Sequence, residues 1–166
     1  MAFPAFSVIA GKDQQGGSMT TVKQLLQGKP AGVATITPQA TTLEALQKLA
    51  ELDIGALIVV EGKQVVGIFS ERDYARKVSL RGRTTRESQV GELMTRRVYY
   101  AEPAQSINEI MALMTAKRIR HLPVLDKGEL IGVISIGDVV KTVISDHEFT
   151  IQQLEKYITG SYGPEV

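Results

Sequence analysis

The stretch Gly67-Ile-Phe-Ser-Glu-Arg-Asp73 returns as Gly132-Val-Ile-Ser-Ile-Gly-Asp138, with glycine, serine and aspartate at a constant offset (138 − 73 = 65). Pro38 and Pro103, and Ile54 and Ile119, keep the same offset. An internal repeat constrains the fold more than any composition. A unit of about 60 residues with one covered sheet is marginal alone, so two such units must bury surface against each other. The apolar patterns align best with one compensating insertion in the helix between those proline and isoleucine pairs.

Each copy reads in the same order. A short strand (Val33 to Thr37; Val98 to Tyr100) runs into a proline and then an amphipathic helix, Leu43 to Leu52 or Ile107 to Ala116. Leu43, Leu46, Leu49 and Ala50 share one face of the first helix, and Ile107, Ile110 and Met114 one face of the second. Two apolar strands follow across a turn: Ala56 to Val60 and Gln64 to Phe69, then His121 to Leu125 and Glu129 to Ile134. A closing helix begins at Ser70 or Ser135 and runs to about Leu80 or Ile144. The fold class is α/β (α+β): two β-α-β-β-α repeats packed through their sheets with pseudo-twofold symmetry and a cleft between them.

These patterns divide the chain into an arm or tag (1–18), a first repeat (19–80), a polar linker (81–89), a second repeat (90–145) and a C-terminal helix and tail (146–166). The last segment places Ile151, Leu154, Tyr157 and Ile158 at helical spacing, to pack across the module or on a dimer partner. The chain has no cysteine, which excludes disulfides, thiolate nucleophiles and cysteine metal sites. A formal charge of +1 gives no global field for nucleic acid, and no apolar run approaches the roughly 20 residues of a membrane span. A cytoplasmic protein is expected.

Ser70-x-x-Asp73 and Ser135-x-x-Asp138 can each be a helix cap. The usual acid three residues on is Glu or Gln, however, so the shorter aspartate is expected to be free for another donor. A carboxylate accepts two hydrogen bonds, which suits vicinal ribose hydroxyls, and the adjoining helix N-terminus suits phosphate. A nucleoside phosphate meets both demands. Gly67 and Gly132 are either ordinary strand glycines or points of close approach.

With the repeat, the element order and this signature together, residues 19 to 145 resemble a tandem pair of cystathionine-β-synthase (CBS) domains. The residues carrying the resemblance are Thr-Ile-Thr-Pro (35–38), Ile-Gly-Ala-Leu-Ile-Val-Val (54–60), Gly67 to Val78, Glu-Leu-Met-Thr (92–95), Arg118 to Asp126 and Gly132 to Asp138. The chain is similar to small stand-alone bacterial two-domain proteins of the kind labelled inosine-monophosphate-dehydrogenase-related, although that enzyme's barrel and cysteine are absent. The resemblance implies a homodimeric regulatory sensor of AMP, ADP, ATP, NAD(H) or S-adenosylmethionine, read by an unknown downstream protein, with no catalytic cofactor. It implies that Asp73 and Asp138 hold ribose hydroxyls, with Ser70 and Ser135 near ribose or phosphate. Thr35 and Tyr100 would lie at the adenine, between apolar walls from Ile54 and Ile119. Tyr100 departs from the usual small hydroxyl residue, so its ring would reshape or fill the second adenine pocket.

The copies differ before the apolar hairpin, where Arg118-Ile-Arg-His121 replaces Asp53-Ile-Gly-Ala56. The resemblance implies that Arg120 and His121 clamp phosphates of the nucleotide held by Asp73, leaving the Asp138 site with only Gly55 and Ala56. Arg118 joins this basic cluster, and Arg72 either reaches phosphate or pairs with Glu71. Two rival functions are a small nucleotide-processing enzyme and a nucleic-acid-binding regulator. The first lacks a P-loop, a metal-ligand cluster and a nucleophile beside a base; the balanced charge opposes the second.

Overall fold

A computed structural model describes residues 20–78, 82 and 84–159 of the chain. The arm 1–18, Arg81 and Arg83 of the linker, and the tail 160–166 lie outside the described residues. The first repeat holds β1 (Thr35–Ile36), α2 (Thr42–Leu52), β2 (Ala56–Glu61), β3 (Gln64–Ser70) and α3 (Glu71–Lys77), preceded by α1 (Val22–Gln27). The second holds α5 (Ile107–Lys117), β4 (His121–Asp126), β5 (Glu129–Ser135) and α6 (Ile136–Thr159), preceded by α4 (Val90–Leu93).

From α2 onward the repeat keeps one register. α2 and α5 each have 11 residues, begin at capping boxes Thr41–Glu44 and Ser106–Glu109, and end on left-handed residues, Asp53 (φ 51°) and Arg118 (φ 53°). The insertion expected inside this helix is therefore not there. The buried face of α2 is Thr42, Ala45 and Leu49, which matches Ile107, Ile110 and Met114 of α5, whereas Ala50 is exposed. Thr42 holds a core position because its hydroxyl donates to the Ser88 carbonyl at 2.9 Å. An apolar pattern alone skips that position and starts the face one residue late.

In the first sheet β1 lies parallel to β2, and β2 and β3 form an antiparallel hairpin. The strand expected over Val98 to Tyr100 does not form. Only Ala101 bridges Val124, with its amide donating to the Pro123 carbonyl. Pro123 explains the difference. It stands where Ile58 donates its amide to the Ala34 carbonyl, and proline has no N–H to give.

The opening helices cross over. Val22, Leu25 and Leu26 of α1 pack with Ile107, Ile110, Leu122 and Ile134 of the second repeat. Val90 and Leu93 of α4, with Met94, pack into the core of the first. Backbone bonds fix both: Val22 N–H to Gln105 O and Ile107 N–H to Thr20 O on one side, Val90 N–H to Ala40 O and Gly91 N–H to Pro38 O on the other. Sequence order places 20–27 with the first repeat; packing places them on the second.

The glycines of the repeated stretch follow from this crossing. A Cβ on Gly67 would meet Met94 Sδ at 2.5 Å, and one on Gly132 would meet Leu26 Cδ2 at 2.7 Å. The close approach comes from the crossed segments. A third cluster of Ile58, Val65 and Leu125, packed by Ile68, Tyr100, Leu130 and Val133, joins the two sheets.

The closing helix of the second repeat and the C-terminal helix expected after it are one continuous α6 of 24 residues. No glycine or proline separates Ile144 from Phe149, and Thr142 and Thr150 return their hydroxyls to carbonyls four residues back. Val139 is buried and Val143 half-buried on the second core, while the turns from Phe149 to Ile158 stay exposed. Among the described residues, no helix is long and apolar enough to cross a membrane.

Candidate functional site

The two aspartates stand at equivalent places, the third residues of α3 and α6, and each closes a cap. Asp73 Oδ2 accepts from the Ser70 amide (3.0 Å) and hydroxyl (2.9 Å), and the Asp73 amide donates to Ser70 Oγ (3.2 Å). Asp138 Oδ2 accepts from the Ser135 amide at 2.8 Å, and its own amide donates to Ser135 Oγ at 3.2 Å. The sequence argument that aspartate is too short for this closure is thus corrected. Its reach suffices, and the helix N-terminus is partly occupied as well: Glu71 N–H donates to Gly55 O and Ile136 N–H to Arg120 O.

Each carboxylate also carries a lysine that motif reading missed. Lys77 lies 2.9 Å from Asp73 Oδ1, and Thr95 Oγ1 donates to the same oxygen at 3.0 Å. Lys29 lies 2.6 Å from Asp138 Oδ2 and also donates to the Val133 carbonyl at 3.0 Å. Lys77 was legible four residues after Asp73, at the spacing of helical ion pairs. Thr95 and Lys29 come from the crossed segments, so no local pattern announces them. All four acceptor directions of Asp73 are taken, whereas Asp138 Oδ1 has no partner among the described residues. Burial alone would raise the Asp138 pKa; the bonds from Lys29 and Ser135 outweigh it and hold the carboxyl below its ordinary 3.8.

The basic segment falls between the caps. Arg118 and Arg120 are exposed, Ile119 is half-buried on the second core, and Arg72 Nη1 donates to the Arg118 carbonyl at 3.3 Å. Arg72 therefore ties α3 to the other repeat. His121 is half-buried, with Nε2 3.2 Å from where a Cβ on Gly55 would stand, so glycine there makes room for the ring. His121 feels Asp138 and Lys29 of one site and Glu71 of the other, so it is shared between the two. Thr35 is half-buried and its carbonyl accepts from Lys48 Nζ at 2.7 Å; Ile54 packs on the first core. The Tyr100 ring packs into the inter-repeat cluster.

Burial lowers the His121 pKa from its ordinary 6.5, against the attraction of Asp138. The folded state therefore binds this proton less readily than the unfolded chain. The associated stability is fully present above pH 6.5 and is lost as pH falls through 6.5 toward the folded value. Denaturant midpoints measured from pH 7.5 to 5 are expected to fall for the parent and to fall less for His121→Gln. Equal slopes would remove His121 from the titration.

A model of the CBS domain matches the chain twice, over residues 29–80 and 90–145. A solved candidate signal-transduction protein with CBS domains from Burkholderia ambifaria MC40-6 is 53% identical with a TM-score of 0.75, over 76% of this chain and 96% of its own. The crystal structure of a CBS-domain-containing protein from Agrobacterium tumefaciens is 39% identical with a TM-score of 0.70, over 74% and 98%. A mitochondrial CBS domain-containing protein of Arabidopsis thaliana is 35% identical over 92% of this chain and 79% of its own.

Proposed function

The chain belongs to the CBS domain family, a tandem pair of the regulatory kind, and from that premise we propose that it binds adenine nucleotides in the cleft between its repeats and acts as a non-catalytic sensor. The observation that carries this reading is the duplicated Ser–Asp cap with its lysine partner. At both sites a carboxylate sits beside a helix N-terminus, and the cation that balances it is a partly exposed lysine that also donates to a backbone carbonyl, Lys29 to Val133 and Lys77 to Leu93. Ribose hydroxyls donating to the carboxylate release that lysine toward the phosphates, so the charge pair is exchanged rather than broken. AMP, ADP, ATP and NAD(H) are the ligands this chemistry suits, and the relatives described above are named for a domain or for signalling, none for a reaction.

The Asp138 site is the first to fill, because Oδ1 is available without displacing a partner, and this availability is set above the Arg120 and His121 clamp that the resemblance assigns to the Asp73 nucleotide. Arg120 and His121 supply phosphate contacts between the sites, and Ile54 and Ile119 flank the base. Calorimetric titration of the full chain with each nucleotide, followed by a turnover assay on whatever binds, tests the reading. Saturable binding without product supports it; product formation, or no binding by any of the four, would sink it. Arg120→Ala is expected to weaken ADP and ATP about 10-fold, the loss of one charge-assisted phosphate contact, while leaving adenosine unchanged. An equal loss for adenosine would show that Arg120 acts through the fold and not on phosphate.

A further inference from the structure

We infer that Lys29 makes Asp138 the reporting site of the pair: a ligand that turns this lysine off the carboxylate moves residues 29–32, which lead from α1 on the second repeat to β1 in the first sheet. This deepens the nucleotide reading above and rests on it. Little else holds the segment. Pro30, Ala31 and Gly32 are exposed and make no hydrogen bond among the described residues, and Gly32 takes a φ of 109°. The next fixed points are Val33, packed between the sheets, and the Ala34 carbonyl, which accepts from the Ile58 amide. Lys29 itself is half-buried, with Nζ 2.6 Å from Asp138 Oδ2 and 3.0 Å from the Val133 carbonyl oxygen. One ammonium pins the crossing to the second repeat.

The matching crossing at Asp73 is pinned by main chain. Thr95 exchanges two backbone bonds with Ile68, at 2.8 and 3.0 Å, and Met94 beside it is buried in the first core. Val133 is the residue that matches Ile68 (133 − 68 = 65), so the carbonyl that takes an amide in one copy takes the Lys29 ammonium in the other. The backbone bridge is indifferent to what occupies the carboxylate, whereas an ammonium shared with the carboxylate is not. The cation at Asp73 is Lys77, on α3 itself, and its match in α6 is Thr142 (142 − 77 = 65), which returns its hydroxyl to the Asp138 carbonyl. Turning Lys77 therefore leaves a crossing in place; turning Lys29 does not. The Lys29–Asp138 pair is partly exposed, 34% and 23%, and an ion pair so placed is held weakly enough for a phosphate to take the ammonium. Two anchors on the fold are then exchanged for one on the ligand, and residues 29–32 gain freedom.

Nitroxide labels test the asymmetry, since the chain has no cysteine of its own. Ala31→Cys reports on the first crossing and Arg97→Cys on the second, both at exposed positions. Calorimetry of the same labelled full chains establishes binding of AMP. Saturating AMP is expected to shorten the rotational correlation time at Ala31→Cys about twofold and to leave Arg97→Cys unchanged. Asp138→Ala and Lys29→Met should each give the shorter time before AMP is added, with no further change, and Lys29→Arg should keep the longer one. An ion pair that served stability alone would leave both labels indifferent to AMP. The inference is overturned by equal responses at the two labels, by a response that Asp138→Ala retains, or by a Lys29→Met chain as rigid at Ala31 as the parent. Absence of any nucleotide binding overturns the nucleotide reading and this inference together, whereas binding without a response at Ala31 removes the role of Lys29 alone.

Discussion

The double variant Asp73→Ala/Asp138→Ala is expected to lose adenine-nucleotide affinity by at least about 100-fold, with each single variant abolishing one of two binding steps. A hydrogen bond to a charged group contributes about 1.5–3 kcal/mol, and a ribose offers each carboxylate two hydroxyls. Part of that gain is offset by the bonds displaced, which are more numerous at Asp73, where Thr95 and Lys77 share Oδ1, than at Asp138. Asp138→Ala should therefore remove the tighter step and Asp73→Ala the weaker one. Each variant also opens a cap, at about 1 kcal/mol of stability, so unfolding must be followed in parallel with titration. A folded double variant that titrates like its parent would dismiss both aspartates from the site.

Gly91→Val is expected to be the most destabilising exchange of a glycine, lowering stability by about 3 kcal/mol and the melting temperature by roughly 6–12 °C. A Cβ at Gly91 would stand 3.0 Å from both Pro38 Cβ and the Pro38 carbonyl oxygen, and the Gly91 amide donates to that same oxygen at 2.8 Å. The contact is backbone on one side and a ring on the other, so neither can turn away. At Gly132 the nearest atoms belong to the Leu26 side chain, whose end can move, and alanine there should be less damaging; at Gly67 the Thr95 carbonyl oxygen at 3.2 Å joins the Met94 side chain. Gly137 is the control: it is helical, and its nearest atom is Ser135 Oγ at 3.6 Å, so Gly137→Ala should stabilise by about 0.5–1 kcal/mol. A scan in which Gly91→Val and Gly137→Ala melt together would refute the packing argument.

The fold was legible because repetition doubles each weak signal. The two hairpins are antiparallel pairs of six- and seven-residue strands, each with an irregularity at the same place, Val59/Val60 and Val124/Leu125. Local polarity hid the rest. Thr42 occupies a core position through a hydrogen bond that an apolar pattern cannot register, and Pro123 removes a strand bond that belongs to another segment. The candidate site divides in the same way. Ser70, Asp73, Ser135 and Asp138 were visible as a motif, and the structure brings each pair together. Lys29 and Thr95 were not visible, because the bond from Lys29 to Asp138 spans 109 residues and that from Thr95 to Asp73 spans 22. Only the crossing of α1 and α4 carries them there.

That crossing also sets an order in time. Among the described elements α1 is made first, yet the surface it covers, Ile107 to Ile134, is made late, so that helix must wait for its dock. Through that interval Val22, Leu25 and Leu26 have no partner of their own. The first repeat, by contrast, can close as soon as α4 emerges. A chain truncated near residue 100 and released should therefore hold its first sheet protected while α1 remains open to protease. The two halves, alike in sequence, reach their folded states by unlike routes.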